Sequence, residues 1–314
     1  MKNQAINDQS WRTQGIIYAL LGAVLFSAKS IVIKFIYLYE PNATIALGFR
    51  LLFALPFFLV IGYFQAQKAK QGLLPILSNK HKLQLVVLGF LGYYLASFLD
   101  IASLKYISVS LERLILLLSP AFVLIFSWLL YRRTISRMQL LSMALAYLGV
   151  LLVFLQDFSV EGSNIALGSA LVIGSAISYA FYINIAGELI KTVGSTRFVA
   201  YAMSISAVFA LLQLFILQGF DWIIQPTPVY TWSIVHAIVN TVIPTFLLMW
   251  AVERIGSTTS TQLGLVGPVS LLFLAWLILD DPISWMDIIG TAIVLLGVYL
   301  LSRAKNSTPR LRRT

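Results

Sequence analysis

Ser119–Phe154 reads SPAFVLIFSWLLYRRTISRMQLLSMALAYLGVLLVF, and Gly267–Ser302 reads GPVSLLFLAWLILDDPISWMDIIGTAIVLLGVYLLS. The two stretches lie 148 residues apart and agree at 12 of 36 positions without a gap. Pro120/Pro268, Trp128/Trp276, Ile135/Ile283, Ser136/Ser284 and Gly149/Gly297 are among the matches. A shared apolar composition yields chance leucine matches, but it does not readily set Pro, Trp and Gly in register. The chain therefore repeats itself. Within the repeat, TyrArgArgThrIleSer at 131–136 lies over LeuAspAspProIleSer at 279–284, so Arg132 and Arg133 give way to Asp280 and Asp281.

The flanking composition explains that change of sign. Of 314 residues, 59% are hydrophobic and 11% charged, against about 45–50% and 25% in a soluble domain. The apolar residues come in long runs, each able to cross about 30 Å of hydrocarbon as a helix. The weak dyad alternation of outer-membrane strands is absent. Ten spans are expected near 15–38, 43–64, 83–103, 109–131, 138–155, 165–187, 197–217, 230–252, 258–279 and 286–302. With the N-terminus inside, the inner connections and tails carry seventeen Lys and Arg, and the outer connections carry only Lys105. Cytoplasmic loops keep Lys and Arg, so both termini are expected in the cytoplasm, the membrane being the cytoplasmic (inner) one.

This distribution accounts for the net charge of +10 without a nucleic-acid partner. The basic tail Arg310–Arg313 can touch anionic lipid heads or stay solvated. Cysteine is absent, and His81 and His236 are the only histidines, so neither a structural zinc site nor any cofactor is expected. No cleavable signal is visible: the opening residues are polar, and the apolar segment after them is too long and carries lysines. The first helix is expected to be retained.

Five spans fall in each repeat, 15–155 and 165–303. Five is odd, so the second copy enters the membrane inverted, as the exchange of Arg for Asp in the matched loop requires. The expected fold is an all-α integral membrane protein of ten helices in two inverted five-helix repeats. Such repeats typify carriers that alternate access to a midplane site between the halves.

The chain here resembles the drug/metabolite transporter superfamily, in its EamA-type branch. The carrying residues are the small-residue openings Gly22, Ala23 and Ser27, and Gly174, Ser175 and Ser178. The Pro120 and Pro268 segments and the closing TyrLeuGlyVal at 147–150 and LeuLeuGlyVal at 295–298 complete them. The resemblance implies a ten-helix carrier, often an exporter of amino acids or related metabolites. Relatives usually carry Glu in the short loops after helices four and nine; here Arg132–Arg133 and Asp280–Asp281 stand there instead.

Five ionisable residues lie inside the spans: Lys29, Arg50, Asp100, Glu112 and Arg113. Each costs a few kcal/mol in hydrocarbon unless paired, solvated or functional. All five belong to the first repeat, and Leu248, Ser260 and Thr261 align with Asp100, Glu112 and Arg113. From the helical rise, the five reach the outer half of one cavity. In one reading Lys29 and Arg50 hold a substrate carboxylate, while Glu112 or Asp100 takes an ammonium or a coupling proton or cation. In the other, pairs such as Asp100–Arg113 and Glu112–Lys29 fix helix packing. His236 and Asn240 share a face of helix eight, where they line the opposite wall or satisfy a carbonyl. Tyr93, Tyr94, Tyr179 and Tyr182 stack on a substrate or pack. Pro120 and Pro268 remove mid-helix bonds and are candidate hinges or static kinks.

The leading function is secondary transport of a small polar metabolite, an amino acid or related compound, with export by alternating access as the expectation. No phosphate-binding G-x-x-x-x-G-K-[ST] is present. A lipid or undecaprenyl-type flippase and a membrane transport subunit are alternatives of another class. A membrane-embedded enzyme ranks below them, because acids are few and the histidines do not cluster. A homodimer is compatible with the pattern.

Overall fold

The computed structural model describes residues 2–116, 118–131, scattered positions between 137 and 152, 164–264, 266–280 and 283–303. The loop at 132–136, Ser142, much of the expected span 138–155, and the tail with Arg310, Arg312 and Arg313 lie outside the described residues. Every regular element described is helical. In chain order they are α1 (Lys2–Ser27), α2 (Lys29–Tyr37), α3 (Ala43–Lys70), α4 (Asn79–Leu88), α5 (Ala96–Ser103), α6 (Val109–Leu116) and α7 (Ser119–Tyr131). After the partly described stretch come α8 (Ile165–Val193), α9 (Ser195–Gln218), α10 (Thr227–Ala237), α11 (Ile243–Gly264), α12 (Val266–Leu279) and α13 (Trp285–Arg303). A π segment, Gly89–Leu95, joins α4 to α5, and a second, Ile238–Val242, joins α10 to α11.

Local chemistry sets the ends. Asn42 caps α3 by accepting from the Thr44 and Ile45 amides, and Ser78 caps α4 through the His81 amide; short polar side chains there satisfy amides that have no helical partner. Gly194 turns the chain between α8 and α9 with φ 83°, a conformation that a side chain would strain.

Seven helical stretches among the described residues are long and apolar enough to cross a membrane, from Trp11–Tyr37 to Thr227–Ala251. α12 has 14 residues, about 21 Å of helix, and the apolar part of α13, Trp285–Gly297, is also short. Around the bundle, Leu59, Val60, Tyr63, Phe64, Ile216 and Leu217 are exposed, an apolar surface of the kind lipid covers.

Three expectations are corrected. α3 runs on to Lys70, which shortens the second connection to 71–78. α11 runs through Gly256, where a loop was expected; one glycine costs only about 1 kcal/mol in a helix, too little to end a long one. Pro120 is not mid-helix: it stands in the first turn of α7, where a missing amide proton costs nothing; residue 265, close before Pro268, lies outside the described residues.

Packing joins the two halves of the chain. α1 lies along α11, α3 along α9, α5 and α7 along α8, and α12 along α1. Small residues permit the approach: a Cβ on Gly22 would stand 3.0 Å from Leu248 Cγ, and one on Gly92 would strike the Tyr182 ring. The main core gathers Ile33 and Ile36 of α2, Leu47 and Phe49 of α3, and Met203 and Leu214 of α9. The π segments recur with the 148-residue offset. Ile238–Val242 falls on 90–94, inside the first π segment.

Candidate functional site

The site forms around an interruption of the first span. The helix breaks at Ala28, between α1 and α2. Such an end leaves carbonyls without amide partners, and in hydrocarbon other groups must satisfy them. Asn240 Nδ2, from the second π segment, donates to the Leu25 carbonyl at 2.7 Å. Arg113 Nη2, from α6, donates to the Ser27 carbonyl at 3.1 Å and to Ser30 Oγ at 3.0 Å.

Lys29 opens α2 directly after the break. It is buried, pairs with Asp100 Oδ2 of α5, and lies 5.4 Å from the Phe26 ring centroid. Ser30 Oγ donates to Glu112 Oε2 at 3.0 Å, and Arg113 Nε stands 3.8 Å from the same oxygen. Asp100 and Glu112 are both buried and lie within electrostatic reach of each other. Among the described residues, Asp100 Oδ1 and Glu112 Oε1 have no hydrogen-bond partner.

Arg50 of α3 forms the other wall. It is 4% exposed, and its Nε donates to Thr241 Oγ1 at 2.9 Å. Thr241 Oγ1 donates in turn to the His236 carbonyl at 3.0 Å. Among the described residues the buried ion pairs are Lys29–Asp100 and the longer Arg113–Glu112 contact; Arg50 belongs to neither. His236 is fully buried with both ring nitrogens unpartnered, and Asn240 Oδ1 is likewise unpartnered. His236 lies within electrostatic reach of Arg50 and Lys29.

The structure thus brings Lys29, Asp100, Glu112 and Arg113 into one network and sets Arg50 beside His236, Asn240 and Thr241. The pairs differ from those named as a structural alternative: Asp100 takes Lys29, while Arg113 sits by Glu112. Ser30 and Thr241, which bind the charged groups, were not singled out in the sequence; their adjacency to Lys29 and Asn240 was the available signal. Tyr182 is buried against Tyr93 and Phe198, and Tyr94 stacks towards Phe209, so these rings are packed. Ser175 and Ser178 of α8 donate to the Ala96 and Leu91 carbonyls, and at the repeat offset they correspond to Ser27 and Ser30.

Long apolar helices wrapped around a buried charged network define a multi-pass membrane protein. The chain belongs to the EamA-like transporter family, whose profile matches residues 13–155 and 166–303. It is similar to the Bacillus subtilis protein named uncharacterized transporter YcbK, 28% identical over 285 residues and 88% of each chain. It is also similar to the Arabidopsis thaliana GDP-mannose transporter GONST5, 27% identical over 224 residues, 66% of this chain and 64% of that one. A solved crystal structure shares the fold with a TM-score of 0.58 at 16% identity, covering 91% of this chain and 96% of its own. These likenesses mark a transporter rather than an enzyme.

Proposed function

We propose that the chain is a secondary carrier of ten helices in two inverted repeats. In this reading it exports a small anionic or zwitterionic metabolite, an amino acid or related compound, by alternating access across the cytoplasmic membrane, with both termini inside. Arg50 carries the reading. It is a buried guanidinium outside every ion pair among the described residues, and its hydrogen-bond partner, Thr241, comes from the other half of the chain. A buried cation without an ion-pair partner is costly, and a substrate carboxylate or phosphate lowers that cost with a two-pronged fit. His236 adds two ring nitrogens without a hydrogen-bond partner among the described residues, within electrostatic reach of Arg50.

The recurrence of the π segments at the repeat offset supports the two-repeat layout. The buried carboxyl groups of Asp100 and Glu112 support proton coupling. Two buried carboxylates within reach of each other repel when both are ionised, and a proton on one relieves that repulsion. Losing that proton changes the charge beside Lys29, at the break in the first span.

The test is counterflow in proteoliposomes with labelled amino acids, dicarboxylates and sugar phosphates, the last because of the likeness to a nucleotide-sugar carrier. Arg50→Ala is expected to raise the half-saturation concentration roughly 30-fold or more, the cost of unpairing a buried charge. Arg50→Lys recovers part of it, because lysine keeps the charge without the planar fork. Exchange unaffected by Arg50→Ala would remove Arg50 from the site. Folded protein that exchanges no solute would shift the reading to a lipid flippase or a subunit.

A further inference from the structure

A second site lies away from this network, in a groove between α3, α4 and the start of α9. The groove has a volume of about 830 Å³, within the roughly 300–1,000 Å³ of small-molecule sites. Its walls are apolar along most of their length, with Leu59, Tyr63 and Leu85, and it ends on Lys70, Lys82 and Arg197. Leu59 and Tyr63 are more than half exposed, so the apolar part opens sideways, where lipid would lie.

The charged end is built. Arg197 is 4% exposed, its Nη1 donates to the Pro75 carbonyl at 2.6 Å, and its guanidinium lies 5.6 Å from the Tyr201 ring centroid. Its Nε is buried and has no partner. Arg197 also stands in the first turn of α9, where the helix dipole is already positive. The stretch from Gln65 to Lys82, the end of α3 through the start of α4, carries Lys68, Lys70, Lys80 and Lys82 and no Asp or Glu. An apolar trough ending in three cations, one of them buried and under-bonded, is complementary to a molecule with an acyl tail and an anionic head. Basic pockets between helices at the cytoplasmic end receive such heads, and the Lys/Arg bias assigns this end to the cytoplasm.

We infer that the groove binds one anionic diacyl phospholipid, its phosphate held by Lys70, Lys82 and Arg197 and an acyl chain laid along Leu59, Tyr63 and Leu85. The site spans α3 and α9, one helix from each half of the chain, so the bound lipid lies across their contact. The inference does not depend on which solute the protein carries.

The test is native mass spectrometry of the detergent-purified full chain with equal phosphatidylglycerol and phosphatidylcholine. One phosphatidylglycerol should be retained selectively. Lys70→Gln with Lys82→Gln should lower that preference by roughly tenfold or more, at the strength expected of two lysines near a lipid head. Lys68→Gln with Lys80→Gln, at the same end but outside the groove, should leave it unchanged, and inorganic phosphate should not displace the lipid. Equal loss in both double variants would mean diffuse surface charge and overturn the site. So would a preference that survives the groove variant, or displacement by free phosphate. Should the groove variant fail to fold, the native chain decides by comparing phosphatidylglycerol with uncharged diacylglycerol: equal retention overturns the inference, and selective retention of the charged lipid supports it.

Discussion

Glu112 and Arg50 take different parts in the proposed transport cycle. Glu112 is fully buried, takes one hydrogen bond from Ser30, and lies within electrostatic reach of Asp100. Lys29, Arg113, Asp100 and Ser30 surround it, with Arg50 and His236 across the site. In the proposed mechanism its carboxyl group exchanges a proton while Arg50 holds the solute. Glu112→Gln keeps the shape and the hydrogen bond to Ser30 but cannot release a proton. Counterflow, which moves no net proton, should persist in this variant, while uptake driven by a proton gradient should fall to the level seen without one. Gradient-driven uptake that survives the substitution would place coupling elsewhere. Loss of counterflow as well would make Glu112 part of solute binding. The sequence located the five intramembrane charges in one region, because depth along a helix follows from its rise. It did not yield the pairing, which depends on how each helix is rotated against its neighbours.

The first span works as two helices, and that was not legible. Ala28 is neither Pro nor Gly, so nothing local announced an interruption between α1 and α2. Its sign is tertiary: side chains from α6 and from the second π segment meet the Ser27 and Leu25 carbonyls. Arg113 and Asn240 therefore hold a broken helix together, whatever else they bind. For Asn240 this has a measurable consequence. Asn240→Ala removes the donor to Leu25, and hydrogen bonds inside membrane proteins average about 0.6 kcal/mol, with a maximum near 1.7. Unfolding in bicelles should show a loss in that range, with the half-saturation for the solute unchanged. A large loss of affinity at full stability would assign Asn240 to the substrate instead. The break before Pro120 was half legible. The proline pointed to the right segment, but a proline marks the start of a helix as readily as a kink within one.

At the scale of the molecule, the repeat ties sequence, packing and function together. The contact of α1 with α11 has its counterpart in α5 with α8, and that of α12 with α1 in α7 with α8, while α3 and α9 face each other as partners. A two-fold relation between halves produces this pattern. Whether that axis lies in the membrane plane, inverting the second half, is a question of sidedness. The change from Arg132–Arg133 to Asp280–Asp281 argues for inversion, because insertion retains basic loops inside. The chain contains no cysteine, so a single introduced thiol reports its own side. Arg137 and Trp285 are 148 residues apart and occupy matched positions in the two repeats. In intact cells a membrane-impermeant maleimide should label Trp285→Cys, which stands on an 80% exposed residue. Arg137→Cys should react only after the membrane is opened. Labelling of both from the same side would make the repeats parallel. A parallel arrangement would remove the inverted symmetry by which two equal halves interchange their open and closed faces around a fixed site, and alternating access would then need an asymmetric gate, with the break at Ala28 as its nearest candidate.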